Sequence, residues 1–259
     1  MSGPGPADEP APATDAPTPT PAPRPARLVF CDVDETLIRT KSTLDFLDYY
    51  LTGRYGKPGA RRAAAFHRDL AEHLIAGSSR EQANRDYYRA LAGERMADLD
   101  DWGERWFADR SAAESFYVAE TRRELARHRA AGAALVLVSG SFPALLRPIA
   151  AAIGAAHLLC TTPEQRDGRL TGEVSGPPMI GPGKRAAVRG LLAAYTHIDP
   201  ADCYAYGDHV SDLPLLAEVG HPVVVGGDPD LIRALPHAEV LALQWPATQA
   251  GIPSPGNDF

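Results

Sequence analysis

Four short runs of continuous apolar character recur along the chain, at residues 28–31 (Leu-Val-Phe-Cys), 134–138 (Ala-Leu-Val-Leu-Val), 203–206 (Cys-Tyr-Ala-Tyr) and 222–225 (Pro-Val-Val-Val). Each is four or five residues long and lacks alternation, the pattern of strands buried on both faces of a parallel sheet. Helical patterns fall between them. Residues 120–131 precede the second run and 143–153 follow it, while 184–194 and 213–219 flank the third. Strand and helix in alternation predict an α/β fold with a doubly wound, Rossmann-like parallel sheet.

One region breaks the alternation. Residues 43–115 offer no strand and instead show helical spacings: Leu44, Phe46, Leu47, Tyr50 and Leu51, then Phe66, Leu70, Leu74 and Ile75, then Tyr87, Tyr88 and Leu91. The glycine-rich stretches 53–59 and 77–79 are expected to separate them as turns. The expected organisation is thus an α/β core at 27–42 and 116–245, with a helical insertion at 43–115. An insertion at the carboxyl end of a parallel strand lies over the place where such sheets bind ligands, so a cap is the natural reading.

Composition narrows the class. The 259 residues are 44% hydrophobic and 23% charged, enough for one full core and a smaller satellite. No apolar run approaches the roughly 20 residues of a membrane helix. A net charge of −7 disfavours nucleic-acid binding, which needs a basic surface. Cys31, Cys160 and Cys203 are too few and scattered for a disulfide framework or zinc site, so reduced thiols in a cytoplasmic protein are expected. Nine prolines in the first 25 residues leave few backbone donors and little apolar surface. Residues 1–26 are accordingly expected to be disordered rather than a secretory signal, and 246–259 a flexible tail.

Four segments carry candidate chemistry. The first run ends in Asp32-Val33-Asp34-Glu35-Thr36, two carboxylates that repel unless a cation such as Mg²⁺ lies between them; an Asp-rich turn with a cap at Thr36 is the plainer alternative. The second run ends in Ser139-Gly140-Ser141 before Pro143, where a helix start and a hydroxyl make an anion pocket, or merely an N-cap. In Gly181-Pro182-Gly183-Lys184 a lysine stands at a helix start, against the dipole, which an anionic partner would rationalise; a solvated surface lysine is the plainer alternative. The spacing of a nucleotide P-loop is absent. The third run ends in Gly207-Asp208-His209-Val210-Ser211-Asp212. Asp208 is suited to complete a metal site and Asp212 to hold Lys184 or a metal-bound water, with His209 a loop side chain.

In this order, each near a strand's carboxyl end, the four segments resemble the haloacid dehalogenase-like superfamily of aspartate-based phosphatases. The resemblance spans about residues 28–225. The insertion resembles a type 1 cap, and residues 167–173 before Lys184 resemble the small hairpin of the phosphoserine phosphatase-like branch. The resemblance implies Asp32 as nucleophile, forming an aspartyl-phosphate, and Asp34 as general acid and then base. It implies Mg²⁺ held by Asp32, the Asp34 carbonyl and Asp208, phosphoryl oxygens bound by Ser139, Gly140 and Lys184, and support from Thr36 and Asp212. Dehalogenases of this fold lack the second aspartate, so Asp34 favours a phosphatase.

Phosphoserine phosphatases carry a glutamate nine positions after the nucleophile, where this chain has Lys41. That cation argues for a substrate with added negative charge or hydroxyls, contacted by Lys41 or Arg39. Arg61, Arg62, Arg68 and Tyr88 are further possible contacts, most of them read as a solvated helix face, and Trp102, Trp106, Phe107 and Phe116 are read as packing. The expected partner is a small phosphorylated metabolite, not nucleic acid or membrane, and the expected assembly a monomer or homodimer. Two alternatives remain at this level: a phosphotransferase or mutase using the same aspartyl-phosphate, and a non-catalytic phospho-ligand binding protein.

Overall fold

The computed structural model describes residues 24–244; the proline-rich segment before them and the expected tail at 246–259 lie outside the described residues. Strand β1 (Leu28–Cys31) is followed by helices α1 (Ser42–Tyr55), α2 (Lys57–Ile75), α3 (Arg80–Ala90), α4 (Met96–Ser111) and α5 (Ala119–Ala130). Then come β2 (Ala134–Ser139), α6 (Pro143–Ile153), β3 (His157–Cys160), β4 (Pro163–Arg166), β5 (Arg169–Val174) and α7 (Pro182–Ala194). The chain closes through β6 (Tyr204–Gly207), α8 (Leu213–Leu216), β7 (His221–Val225), α9 (Pro229–Ala234) and β8 (Glu239–Leu241).

The main sheet has six strands, all parallel, in the order β3-β2-β1-β6-β7-β8. The chain winds outward from β1 to β2 and β3, then crosses back to β6 on the other side. This reversal at β1 opens a crevice beyond the carboxyl ends of β1 and β6. The period of two distributes each strand between two packed cores. Val29, Cys31, Leu135, Leu137, Tyr206, Val223 and Val225 face one, whereas Leu28, Phe30, Val136, Val138, Ala205 and Val224 face the other. The continuous apolar runs are therefore strands covered on both faces.

The edges differ. β3 is only half buried, and β8 is three residues long with two of them exposed. Neither presents the run of at least three consecutive buried residues that marks each of the four inner strands, so they escape a reading based on apolar runs. β4 and β5 form a separate antiparallel hairpin turned by Asp167 and Gly168, both with positive φ (51° and 74°), the backbone twist that suits a tight hairpin.

Between β1 and β2 the chain folds into α1 to α4 and a single 3-10 turn at Glu114–Phe116. The turn expected over 53–59 is much tighter: α1 continues to Tyr55 and α2 starts at Lys57, leaving Gly56 alone (φ 60°, ψ −140°) to reverse the chain. A single left-handed glycine suffices where a longer loop was expected. Ser79 caps α3 by accepting from the Gln82 N–H at 3.2 Å. Trp106, Phe46, Tyr50, Tyr88 and Phe142 are fully buried and meet mostly edge to face, joining these helices to the start of α6. Trp106 and Phe116 are packing residues, and Trp102 and Phe107 pack partly buried against the same core.

Candidate active site

The β1 backbone continues past the sheet for one residue, with the Asp32 N–H donating to the Tyr206 carbonyl at 3.0 Å. That bond fixes Asp32 at the crevice, where it is buried. The chain then coils back: Leu37 and Ile38 N–H both donate to the Val33 carbonyl, and Glu35 is held at φ 65°. A non-glycine residue in that region is uncommon and costs about 1–3 kcal/mol. Here it lets the loop bury Thr36, whose hydroxyl donates to Asp208 Oδ1 at 2.6 Å. Thr36 is thus a tie between the β1 and β6 loops rather than a helix cap.

Lys184 stands in the first turn of α7, almost fully buried at 4% exposure. Its ammonium donates to Asp32 Oδ1 at 2.5 Å and to Asp212 Oδ1 at 2.6 Å. Burial alone lowers a lysine, but Asp212 and Asp32 outweigh it and hold Lys184 above its usual value. One cation shared between two anions does not neutralise both. Burial pushes the Asp32 carboxyl up to about 7, because Lys184 offsets only part of the desolvation and Asp212 adds repulsion. Burial, then Asp32 and Asp212, likewise drive Asp208 well above the carboxylate range, Thr36 offsetting little.

The cluster is short of positive charge and rich in hard oxygen donors. One carboxylate oxygen each from Asp32, Asp208 and Asp212 lies within 4.8 Å of the others, a donor set that fits Mg²⁺. Asp34 was expected among the metal ligands through its carbonyl; its side chain does not join the carboxylate cluster, and Asp212 does. Asp34 Oδ1 is buried without a hydrogen-bond partner, and burial pushes this carboxyl up to about 6, the neighbouring Ser42 only partly offsetting it.

Ser139 ends β2 and is buried, its Oγ accepting the Ser141 N–H at 3.1 Å. This bond curls the loop so that Ser139, Gly140 and Ser141 line the same cavity as Asp32, Asp34, Lys184 and Asp208. The cavity has a volume of ≈ 370 Å³, and α6 starts directly after this loop, its positive end close by. From α3, Asn84 Nδ2 and the Tyr88 hydroxyl donate to the Gly140 carbonyl at 2.8 and 3.0 Å. Asn84 was not anticipated: an amide near the middle of a polar helix carries no pattern that marks it.

Lys41 lines the cavity and ion-pairs with Glu35 at 3.6 Å. Arg39 is not among the cavity's lining residues. Arg61, Arg62 and Arg68 are exposed, as a solvated helix face requires, whereas Tyr88 is buried against Gly140. His209 Nδ1 accepts from the Ser211 N–H at 3.0 Å and meets Arg80 of α3 at 2.8 Å, so it organises the β6 loop. Burial and the Arg80 charge hold its imidazole below the usual value. Gly207 is needed for close approach: a Cβ there would lie 2.6 Å from the Asp212 Cβ.

Relatives share this framework. A protein of unknown function from Bordetella pertussis Tohama I has 32% identity and a TM-score of 0.74, covering 85% of this chain and 100% of that one. A phospho-aspartyl intermediate analogue of phosphoserine phosphatase superposes with a TM-score of 0.61 over 85% of this chain and 95% of that one, at 18% identity, a likeness of fold. A probable phosphatase of Mycobacterium tuberculosis (strain ATCC 25618 / H37Rv) is 31% identical over 221 residues, 84% of this chain and 73% of that protein. The family model for haloacid dehalogenase-like hydrolases matches residues 29–217, from β1 through the end of α8, and the chain belongs to that family.

Proposed function

We propose that this chain is a Mg²⁺-dependent phosphatase that hydrolyses a small-molecule phosphate monoester through an aspartyl-phosphate on Asp32. The observation that carries the reading is the convergence of Asp32, Asp34, Ser139, Lys184 and Asp208 on one cavity from four separate loops. Phosphoryl transfer needs positioning and charge neutralisation more than covalent chemistry from the protein, and this set supplies both. The probable phosphatase from Mycobacterium tuberculosis and the phosphoserine phosphatase fold support the same class.

An Asp32 oxygen attacks phosphorus, the P–O bond to the alcohol breaks, and the phosphoryl group passes to the carboxylate. Asp34, raised to about 6 by burial, can carry the proton that the departing alkoxide takes up. As a carboxylate it then takes a proton from the water that opens the acyl phosphate. Ser139, the Gly140 N–H and Lys184 hold the phosphoryl oxygens. Asp32, Asp208 and the Asp34 carbonyl would hold Mg²⁺, with Asp212 on Lys184, and the ion would supply charge neutralisation between carboxylate and phosphate. The α1–α4 insertion acts as the cap that shields this chemistry from water.

The test is inorganic phosphate release from a panel of small phosphate monoesters, with and without Mg²⁺. Release that needs Mg²⁺ and disappears in Asp32→Asn is the expected result. A folded protein that releases phosphate from no member, or an Asp32→Asn variant as active as the parent, overturns the reading.

A further inference from the structure

Part of the cavity lining is apolar. Phe66, Leu70 and Leu74 recur at a spacing of four along α2, one face of a helix. They line the cavity together with Ala71 of the same helix, Leu44 of α1 and Ile180 of the loop before α7. All are half buried. Leu44, Leu70, Leu74 and Ile180 belong to neither of the two packed cores. Their spacing is that of a core-facing stripe, yet what they face is the cavity. Water held against such a surface is displaced favourably by apolar atoms, and a serine leaving group, with a single methylene, offers little apolar surface.

Two cations that line the cavity, Lys41 and Arg80, are already engaged. Lys41 pairs with Glu35, and Arg80 donates to Ser211 Oγ at 3.1 Å besides its contact with His209. One cavity is therefore lined both by the carboxyl, serine and lysine groups of the candidate phosphoryl site and by an apolar set whose neighbouring cations have protein partners.

We propose that the substrate is a phosphate monoester whose alcohol carries an apolar body, seated against the α2 face formed by Phe66, Leu70 and Leu74. The proposal rests on the phosphomonoesterase reading and specifies the leaving group within it. It replaces the expectation, drawn from Lys41 alone, of a leaving group rich in charge or hydroxyls. Binding energy from the apolar body is available to position the ester oxygen near Asp34.

The experiment is kcat/KM, with Mg²⁺ present, for a series of straight-chain alkyl phosphates from ethyl to hexyl, with O-phosphoserine alongside. Each methylene buried against the wall is expected to raise kcat/KM by up to about fourfold, so that hexyl phosphate exceeds ethyl phosphate at least tenfold. Leu70→Asn and Leu74→Asn, each checked for native circular dichroism, should reduce the hexyl-to-ethyl ratio towards one. A flat series, or phosphoserine preferred over every alkyl ester, overturns the proposal while leaving the phosphatase reading intact. A chain-length preference untouched by both substitutions removes α2 as its source. Absence of release from all these esters and from the wider panel overturns the phosphatase reading itself.

Discussion

Lys184 is the residue on which the site's electrostatics turn. It is a buried cation touching two buried carboxyl groups, with Asp208 as a third carboxyl in the same cluster. Removing one partner of a buried pair leaves uncompensated charge, at a cost of about 3–5 kcal/mol. Lys184→Met, measured by denaturant unfolding in chelator at about pH 7, is expected to lose stability of that order. The loss should shrink at about pH 5, because carboxylates left without their cation take up protons more readily. An equal loss at both pH values is the result that disagrees. Asp212 shows how far sequence reasoning reached at this scale: Lys184 and a metal-bound water were both open as its partner, and the fold brings Lys184 to it. Asp212 packs directly on Gly207, whose lack of a side chain lets the loop after β6 fold back this closely.

At the scale of elements, the seam between α4 and α6 relates the helical insertion to the Ser139 loop. Gly103 of α4 lies against the α6 backbone, and a Cβ there would fall 2.2 Å from the Ala144 carbonyl oxygen. Two effects oppose each other in Gly103→Ala. Helix propensity favours alanine by about 1 kcal/mol, whereas overpacking against backbone costs about 1–3 kcal/mol. Because the obstructing atom is main chain and cannot rotate away, a net destabilisation is expected, read as a lowered Tm. A gain in Tm would mean that α4 is free to move off α6. The inner strands and the approximate bounds of α5, α6 and α7 were legible from apolar runs and helical spacing, α6 spanning the expected 143–153 without change. The edge strands were not, since half-buried segments leave only a faint pattern. The α2 stripe was visible but ambiguous, because periodicity reports an apolar face without saying whether protein or a cavity lies opposite it.

For the molecule as a whole, the acidic cluster links stability to pH and to metal. Asp32 at about 7 and Asp34 at about 6 hold protons more tightly than carboxylates in the unfolded chain, near 3.9. The folded state is then the more protonated one between about pH 4 and 7, so these groups favour folding at the acid end and lose that contribution as pH rises. A divalent cation bound to the same oxygens stabilises only the folded state, by mass action, and must displace any proton first. Thermal unfolding with and without Mg²⁺ is thus expected to show a larger rise in Tm at about pH 7 than at about pH 5, and little rise at either in Asp208→Asn. An equal rise at both, or an undiminished one in the variant, places the ion elsewhere. Among the described residues no helix is long and apolar enough to cross a membrane.

By itself the sequence determined the parallel α/β core and the family, because buried strands and the loops that end them are local: each run of apolar residues is adjacent in the chain to the group it presents. It also marked Asp32, Asp34, Ser139, Lys184 and Asp208 as the candidate chemistry. Only the tertiary structure decided what those groups do to one another. That Lys184 serves Asp32 and Asp212 at once, that Thr36 ties to Asp208, and that Asn84 and Tyr88 hold the Gly140 carbonyl are contacts between residues 28 to 172 positions apart. Local pattern carries no information about distances across such separations. Burial and charge at the site are properties of the packed whole, and they alone set the carboxyl pKa values and turn one face of α2 toward the cavity.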